Sequence, residues 1–480
     1  MSAQFIPIII CGGSGSRLWP RSRRDFAKPF VPLPGATESL IDLTYKRLCE
    51  SPQTPTAVMT VAAANDLFLC EDSFAKYGPK TPHLLIGEPE GRNTAPAIAT
   101  AVMWVRQRFG NDAAVLVLAA DHIVGNAAAF WRAVAAATRA AQAGKIALLG
   151  IAPSYPATGY GYIERGEALA EVKDVFTVRR FVEKPDAAKA QTFVADDNFL
   201  WNAGIFCFTP QTLFTELPAL APAVAAPLES LAAQLPVDSP WLPIAADYQL
   251  FPDISFDFAV MEKTANAAVA PAVGAQWSDV GSWRALGETW LAADARGNRT
   301  DSEALLLDCD NCLLVGDGGR LLAGIDLQDL LIIDSPDALL VAKTESAERA
   351  REVFVQLSRD GREEALTPRT VRRPWGSYTV LSHGEGYKIK RINVLPGERL
   401  SLQSHAHRSE HWTTIVGKMT VVINERTLIM AKDESCYIPL GAKHRMYNDT
   451  DELAAIIEVQ VGDYLGEDDI TRYEDIYGRG

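Results

Sequence analysis

Gly12, Gly13 and Gly15 follow the apolar run of residues 5–11, and five cationic side chains come soon after: Arg17, Arg21, Arg23, Arg24 and Lys28. Glycines just past a buried strand let backbone N–H groups approach a phosphate closely. Arginine adds a fork-shaped cation and lysine a point charge. Together these residues predict a loop that holds a small polyphosphate. Neither standard glycine fingerprint fits it. A dinucleotide loop needs a third glycine where Leu18 stands, and a Walker-type loop needs Gly-Lys-Ser/Thr where Ser16-Arg17-Leu18 stands. Two acidic residues extend the chemistry. Asp121 comes directly after the apolar run of residues 113–120, a natural position for a magnesium ligand, and Asp279 is a candidate second ligand. Lys184, in Phe181-Val182-Glu183-Lys184-Pro185, reads equally well as a solvated turn lysine when taken alone.

A second cluster lies far downstream. Four of the seven histidines fall between residues 405 and 444. The stretch "SLQSHAHRSEHW" carries Gln403, His405, His407, Glu410 and His411, and His444 comes later in "GAKHRMYN". On a strand, residues 403, 405 and 407 face one way. Histidines and a carboxylate at this spacing, with a further histidine on another strand, can form an open metal site. Spacing alone leaves His407 and His411 as alternates. Lys388 and Lys390 share a strand face, and an exposed strand explains them as well as a phosphate does.

These groups need elements to position them. Residues 5–11, 113–120 and 146–151 read as buried strands, and 94–109 and 130–143 as helices, which predicts a mostly parallel, doubly wound sheet. In such sheets ligands sit at the carboxyl ends of strands, where Gly12 and Asp121 fall. From 304 to 343 short apolar runs repeat between Asp/Gly turns, as in a small β-helix or sheet, and 346–357 reads as a helix. Residues 361–376 read as a linker. Beyond it, strands at 387–394, 412–416, 419–423, 435–438 and 454–461 predict a small barrel. The boundaries expected are therefore 1–295, 296–360, 361–376 and 377–480.

The length, 480 residues, implies more than one core. A net charge of −14 argues against a general nucleic-acid binder, so the cations of residues 17–28 suit a small anion. The longest apolar run has eight residues, too short to span a membrane. Seven cysteines and no signal-peptide pattern suit a cytoplasmic protein.

The stretch "GGSGSRLWPRSRRDFAKP" resembles the signature of sugar-nucleotide pyrophosphorylases, in the form with Trp19 found in mannose-1-phosphate guanylyltransferases. Further matches are "GRNTAP" from Gly91, Ala120-Asp121-His122, "TGYGYI" from Thr158, Phe181 to Pro185, "WNAGIF" from Trp201, "SFDFAVME" from Ser255 and "WSDVGSW" from Trp277. Cys11, Ala203 and Ala27-Lys28-Pro29 depart from the usual pattern without removing a charge. "QSHAHRSEHW" looks like type II phosphomannose isomerase, and Pro439-x-Gly441-x-x-His444-x-x-x-Asn448 matches the second cupin motif. The whole chain resembles the family of bifunctional mannose-6-phosphate isomerase/mannose-1-phosphate guanylyltransferases.

The resemblance implies an α/β Rossmann-like nucleotidyltransferase domain, a short β-helix-like or β-rich middle segment and a C-terminal all-β cupin barrel. It implies that Gly12, Gly13, Gly15, Arg17 and Lys28 hold the GTP triphosphate, with Arg92, Asn93 and Thr94 near guanine and ribose. Asp121 and Asp279 would hold Mg²⁺, Lys184 the sugar phosphate, and Gly161, Glu183 and Asn202 the sugar. In the barrel, Gln403, His405, Glu410 and His444 would hold a divalent metal such as Zn²⁺ or Co²⁺. Arg408 would hold phosphate or enediolate, and His411 would be the general base. The expected molecules are GTP, mannose 1-phosphate, GDP-mannose and mannose 6-phosphate, with no nucleic acid, no membrane, and a homodimer as assembly. The rival readings are a guanylyltransferase whose barrel only senses a sugar, and a nucleotide-sugar sensor without turnover.

Overall fold

The computed structural model describes residues 4–474 except 14, 79, 233–238, 244–245 and 318. The chain divides into two compact units, Met1–Ala365 and Leu366–Gly480. The first is built on a ten-stranded sheet. Its centre is Phe5–Cys11, parallel to Val58–Ala63 on one side and to Ala114–Ala119 on the other. These strands are unbroken apolar runs because both faces are covered. Ile6, Ile8, Val115 and Val117 enter one core cluster, and Phe5, Ile9, Leu116 and Leu118 the other. Each such buried side chain stabilises the sheet by roughly 1.5–3 kcal/mol.

The sheet is not wholly parallel. Phe199–Phe208 runs antiparallel between Ala114–Ala119 and Ile146–Ile151, and Phe176–Val182 and Tyr162–Ala168 close the far edge antiparallel. Helices Thr94–Phe109 and Ala127–Gln142 pack against the sheet. Asn93 caps the first with its carboxamide oxygen accepting from the Thr94 N–H (2.9 Å), and Asn126 caps the second.

The middle segment winds in parallel coils. Ala304–Leu307 pairs with Leu322–Ile325, and Leu313–Val315 with Leu330–Asp334, before Leu339–Lys343 turns antiparallel. This part belongs to the first unit and packs through Leu313, Val315, Leu331 and Ile333 onto Trp283, Leu18 and Trp19.

The second unit holds a six-stranded and a five-stranded sheet. Their shared apolar core includes Trp412, Met419, Val421 and Met446. Residues 361–376 are not a free linker: Thr370–Arg373 is a strand paired with Gly376–Gly384. Among the described residues no helix is long and apolar enough to cross a membrane.

Candidate active sites

In the first unit a cavity of about 600 Å³ opens at the carboxyl ends of the central strands. Gly12 and Gly13 line it after Phe5–Cys11, Glu88 as the last residue of His83–Glu88, and Asp121 after Ala114–Ala119. Asn93, Thr94, Gly161, Glu183, Lys184, Asn202 and Asp279 also line it. The expected residues are thus gathered from stretches spread over more than half of the chain.

Lys28 is buried rather than reaching into the opening. Its ammonium donates to Asp121 Oδ2 (2.7 Å) and to the Asp279 carbonyl (2.6 Å). Burial alone would raise the Asp121 carboxyl, but the charges of Lys28 and His122 and the Lys28 hydrogen bond together hold it below its ordinary value. Asp279 Oδ1 accepts from the Tyr160 hydroxyl (2.6 Å) and the Gly281 N–H (3.0 Å). The ammonium thus sits between the Asp121 carboxylate and the Asp279 backbone carbonyl, joining the two turns that carry these acids.

Four expectations change. Gly15, with φ near +58°, does not line the cavity; a Cβ there would overlap Lys28, so the glycine serves the close approach of two chain segments. Arg17 is exposed and reaches the Gly281 turn rather than the cavity wall. Arg92 does not line the cavity either and pairs with Glu90. The arginines of residues 21–24 are not an anion site. Arg21 donates to Asp301 (3.4 Å), Arg23 to Asp337 (2.8 Å), both in the coiled segment, and Arg24 to Asp25. Trp19 donates to the Glu364 carbonyl (2.8 Å) and accepts on its own carbonyl from Trp283 (2.9 Å). The basic stretch is therefore mostly a clasp on the coils.

The sugar-side residues touch one another. Lys184 pairs with Glu183 (3.0 Å), and the other Glu183 carboxylate oxygen is buried without a partner. A Cβ at Gly161 would press on that oxygen (2.5 Å), so glycine keeps the space before it open. Asn202 donates to Asp257 (2.7 Å). Asp257 escaped the sequence reading although it lies in the matched "SFDFAVME". Burial and the Glu183 charge push its carboxyl up to about 6. Glu88 was also missed, although it ends its apolar strand much as Asp121 comes after another. Burial pushes Glu88 up to about 7, offset in part by the Tyr248 hydroxyl donating to it.

In the second unit the strand Arg408–Val416 alternates. Arg408, Glu410 and Trp412 point inward, while His411 points out and lies against Tyr437. The inward set meets His405 and His444: Nε2 of His405 lies 3.2 Å from one Glu410 oxygen and Nε2 of His444 lies 3.6 Å from the other. Both nitrogens of His405 and Nε2 of His444 are buried without a hydrogen bond. His444 Nδ1 lies 2.9 Å from the Ala442 carbonyl. That contact fixes the ring and leaves Nε2 for a ligand. Burial pulls the His444 imidazole down, which favours the neutral, metal-binding form. Gln403 stands directly opposite His444 across the sheet. These orphaned atoms fit a metal ion.

Burial alone would raise the Glu410 carboxyl, but the adjacent His405 and His444 imidazoles and the Arg408 guanidinium hold it well below the usual carboxylate range. Arg408 donates to it (3.1 Å) and to the Gly466 carbonyl (2.9 Å). His411 is corrected here as a base: strand alternation sends it to the other face. His407 is corrected too, since the strand ends at His405 and the turn after it leaves His407 exposed. Lys390 is buried beside Glu467 and Glu458, and Lys388 donates to the Leu465 carbonyl. Glu458 was missed. Trp412 Nε1 lies between it (3.2 Å) and Glu410 (3.1 Å), and Gln460 also donates to both. Burial, then the Glu410 charge, pushes Glu458 up to about 8. The readable signal was Glu458 and Gln460 alternating inside the apolar strand Ala454–Gly462.

Residues 6–295 match the nucleotidyl transferase family model. Residues 302–357 match the mannose-phosphate isomerase/GMP-like β-helix domain, and 360–475 the mannose-6-phosphate isomerase C-terminal model. The chain is 41% identical to the xanthan biosynthesis protein XanB of Xanthomonas campestris pv. campestris, over 99% of this chain and 100% of that one. It is 40% identical to the alginate biosynthesis protein AlgA of Pseudomonas aeruginosa, over 99% and 97%. It is 40% identical to the mannose-1-phosphate guanylyltransferase ManC of Salmonella typhimurium, over 99% and 98%. Among solved structures, a mannose-1-phosphate geranyltransferase from Thermus thermophilus superposes with a TM-score of 0.64 at 30% identity, over 74% of this chain and 99% of that one.

Proposed function

Because the chain belongs to the nucleotidyl transferase family, among mannose-1-phosphate guanylyltransferases that carry a mannose-6-phosphate isomerase C-terminal domain, we propose that it makes GDP-mannose and interconverts two hexose 6-phosphates. It is an enzyme with two chemistries and serves polysaccharide biosynthesis, as the relatives named for xanthan and alginate do. Both reactions use a divalent metal.

In the first reaction a phosphate oxygen of mannose 1-phosphate bonds to the α-phosphorus of GTP. The bond from that phosphorus to the bridging oxygen breaks, and its electron pair leaves with pyrophosphate. Such a transfer needs charge neutralisation and alignment, not a protein nucleophile. Mg²⁺ held by Asp121 and Asp279 would supply the neutralisation. The Gly12 and Gly13 amides, with Lys28 behind them and Arg17 at the rim, hold the triphosphate. Lys184 takes the sugar phosphate, and the free Glu183 oxygen accepts a sugar hydroxyl. Glu88 accepts from the guanine N1–H and N2–H groups, a pair of donors that adenine does not present on that edge.

In the second reaction a proton moves between C2 and C1 of the sugar. A divalent ion such as Zn²⁺ or Co²⁺, held by Gln403, His405, Glu410 and His444, would polarise the carbonyl. Arg408 holds charge on the sugar oxygens. Glu458 carries the proton, in the place first given to His411. The observation that carries the double reading is the pair of separate sites: acids and cations around one strand-end cavity, and orphaned imidazoles around a buried carboxylate in the other unit. One preparation assayed for pyrophosphate release from GTP with several sugar 1-phosphates, and for hexose 6-phosphate interconversion, tests it. Release with mannose 1-phosphate together with interconversion supports it. Absence of either activity in metal-replete protein overturns the corresponding half.

A further inference from the structure

The short ribbon Ile123–Val124 paired with Trp277–Ser278 joins the turns that carry Asp121 and Asp279. Behind it lies a second cavity, of about 630 Å³, bounded by the ribbon, by Lys46 and Arg47 of helix Leu40–Cys49 with Glu50 just past its end, and by Trp290. Arg47 is 8% exposed. It donates to the His122 carbonyl (3.1 Å), and its guanidinium lies 5.4 Å from the Phe130 ring centre. Among the described residues no carboxylate pairs with it, and burial alone pulls it down to about 10. A buried cation without a counter-charge is costly to keep, and guanidinium N–H groups seek oxygen acceptors. Pinning the His122 carbonyl uses one of those donors and accounts for neither the cavity nor Lys46 beside it.

We propose that this cavity binds a small organic phosphate, its phosphate held by Arg47 and Lys46 and its ring against Trp277 and Trp290. The volume suits such a ligand. Trp277 is a shared wall: it also lines the nucleotide-side cavity and donates to His122 Nδ1 (3.2 Å), next to Asp121. A phosphate that draws Arg47 away from the His122 carbonyl loosens the turn carrying Asp121. Occupancy therefore slows guanylyl transfer without competing with GTP.

The full chain, with saturating GTP occupying the nucleotide side, is titrated calorimetrically with phenyl phosphate, inorganic phosphate and phenol. Phenyl phosphate binds at one equivalent, inorganic phosphate binds more weakly and phenol does not bind. Lys46→Ala and Arg47→Gln each weaken phenyl phosphate binding at least about tenfold, the loss of one charged hydrogen bond. Should Arg47→Gln fail to fold, Lys46→Ala on the helix surface decides. Equal binding of inorganic phosphate overturns the organic half, and unchanged phenyl phosphate affinity in Lys46→Ala overturns the site. The kinetic arm rests on the transferase reading: phenyl phosphate lowers the turnover number at unchanged KM for GTP in the wild type and not in Lys46→Ala. Binding without inhibition overturns the coupling alone, and the titration stands whatever the reaction is.

Discussion

The strand-end cavity of the first unit takes its groups from residues 12 to 279, most of them on turns. The metal-type centre of the second unit takes its groups from residues 403 to 460, nearly all on paired strands. The first is open, and its charges are already neutralised in pairs, Lys28 with Asp121 and Lys184 with Glu183. The second is closed, and its imidazole nitrogens are left without partners. A polyphosphate substrate brings several charges and needs a wide mouth with movable counter-charges. A resident ion needs fixed lone pairs in a dry place. The difference separates a site organised for arriving ligands from one organised around an ion.

The sharpest way to break the comparison is at Glu458, the proposed proton carrier of the closed centre. Glu458→Gln should cut isomerisation by about 10²–10⁴-fold, the usual share of a general acid–base group. Metal content should stay and guanylyl transfer should be untouched; a small effect would return the role to another group. In the open site, Lys184→Ala should lower guanylyl transfer by about 10²–10³-fold, as loss of an electrostatic stabiliser does. Isomerisation by that variant should be normal.

Smaller effects sharpen the picture. Glu88→Gln should cost about 1.5–3 kcal/mol, or about 10–150-fold, in kcat/KM for GTP, with little change for ATP. A carboxyl raised to about 7 is largely protonated at pH 6 and ionised at pH 8. Guanine donors favour the ionised form, so GTP should bind more tightly as pH rises through that window. The same shift acts on stability with the opposite sign. The folded chain holds a proton that the unfolded chain has lost, so stability falls as pH climbs from about 4.3 to the folded value. Thermal unfolding of wild type and Glu88→Gln across this range checks that. Smallest of all, His411→Ala should change isomerisation by less than about twofold, as an exposed outer-face residue.

The two sites also differed in how legible they were. The strand-end residues could be placed because apolar runs mark buried strands, and the residues just past their carboxyl ends face the ligand side; Asp121 and Gly12 were found that way. Glu88 sits in an equivalent position, and it passed unnoticed because the short run of residues 83–88 was not read as a buried strand. The direction of Arg21 and Arg23 was not readable at all. Their partners Asp301 and Asp337 lie about three hundred residues away, and such contacts leave no local pattern. In the barrel, the period of two held for Gln403 and His405 and failed at His407, where the strand ends and the chain turns. The role of His411 came from the resemblance, and the same period, counted from Glu410 along Arg408–Val416, sends that side chain outward. The antiparallel insertion of Phe199–Phe208 into a parallel sheet left no mark either, because a strand covered on both faces is apolar whichever way it runs.

The most direct test of the two-site account is one preparation of Glu410→Gln, shown to be folded, measured for bound divalent metal and for both activities. The account predicts loss of the tightly bound ion and of hexose 6-phosphate interconversion, with GDP-mannose formation in added Mg²⁺ equal to wild type. Retained interconversion, or loss of both activities in the folded variant, would contradict it.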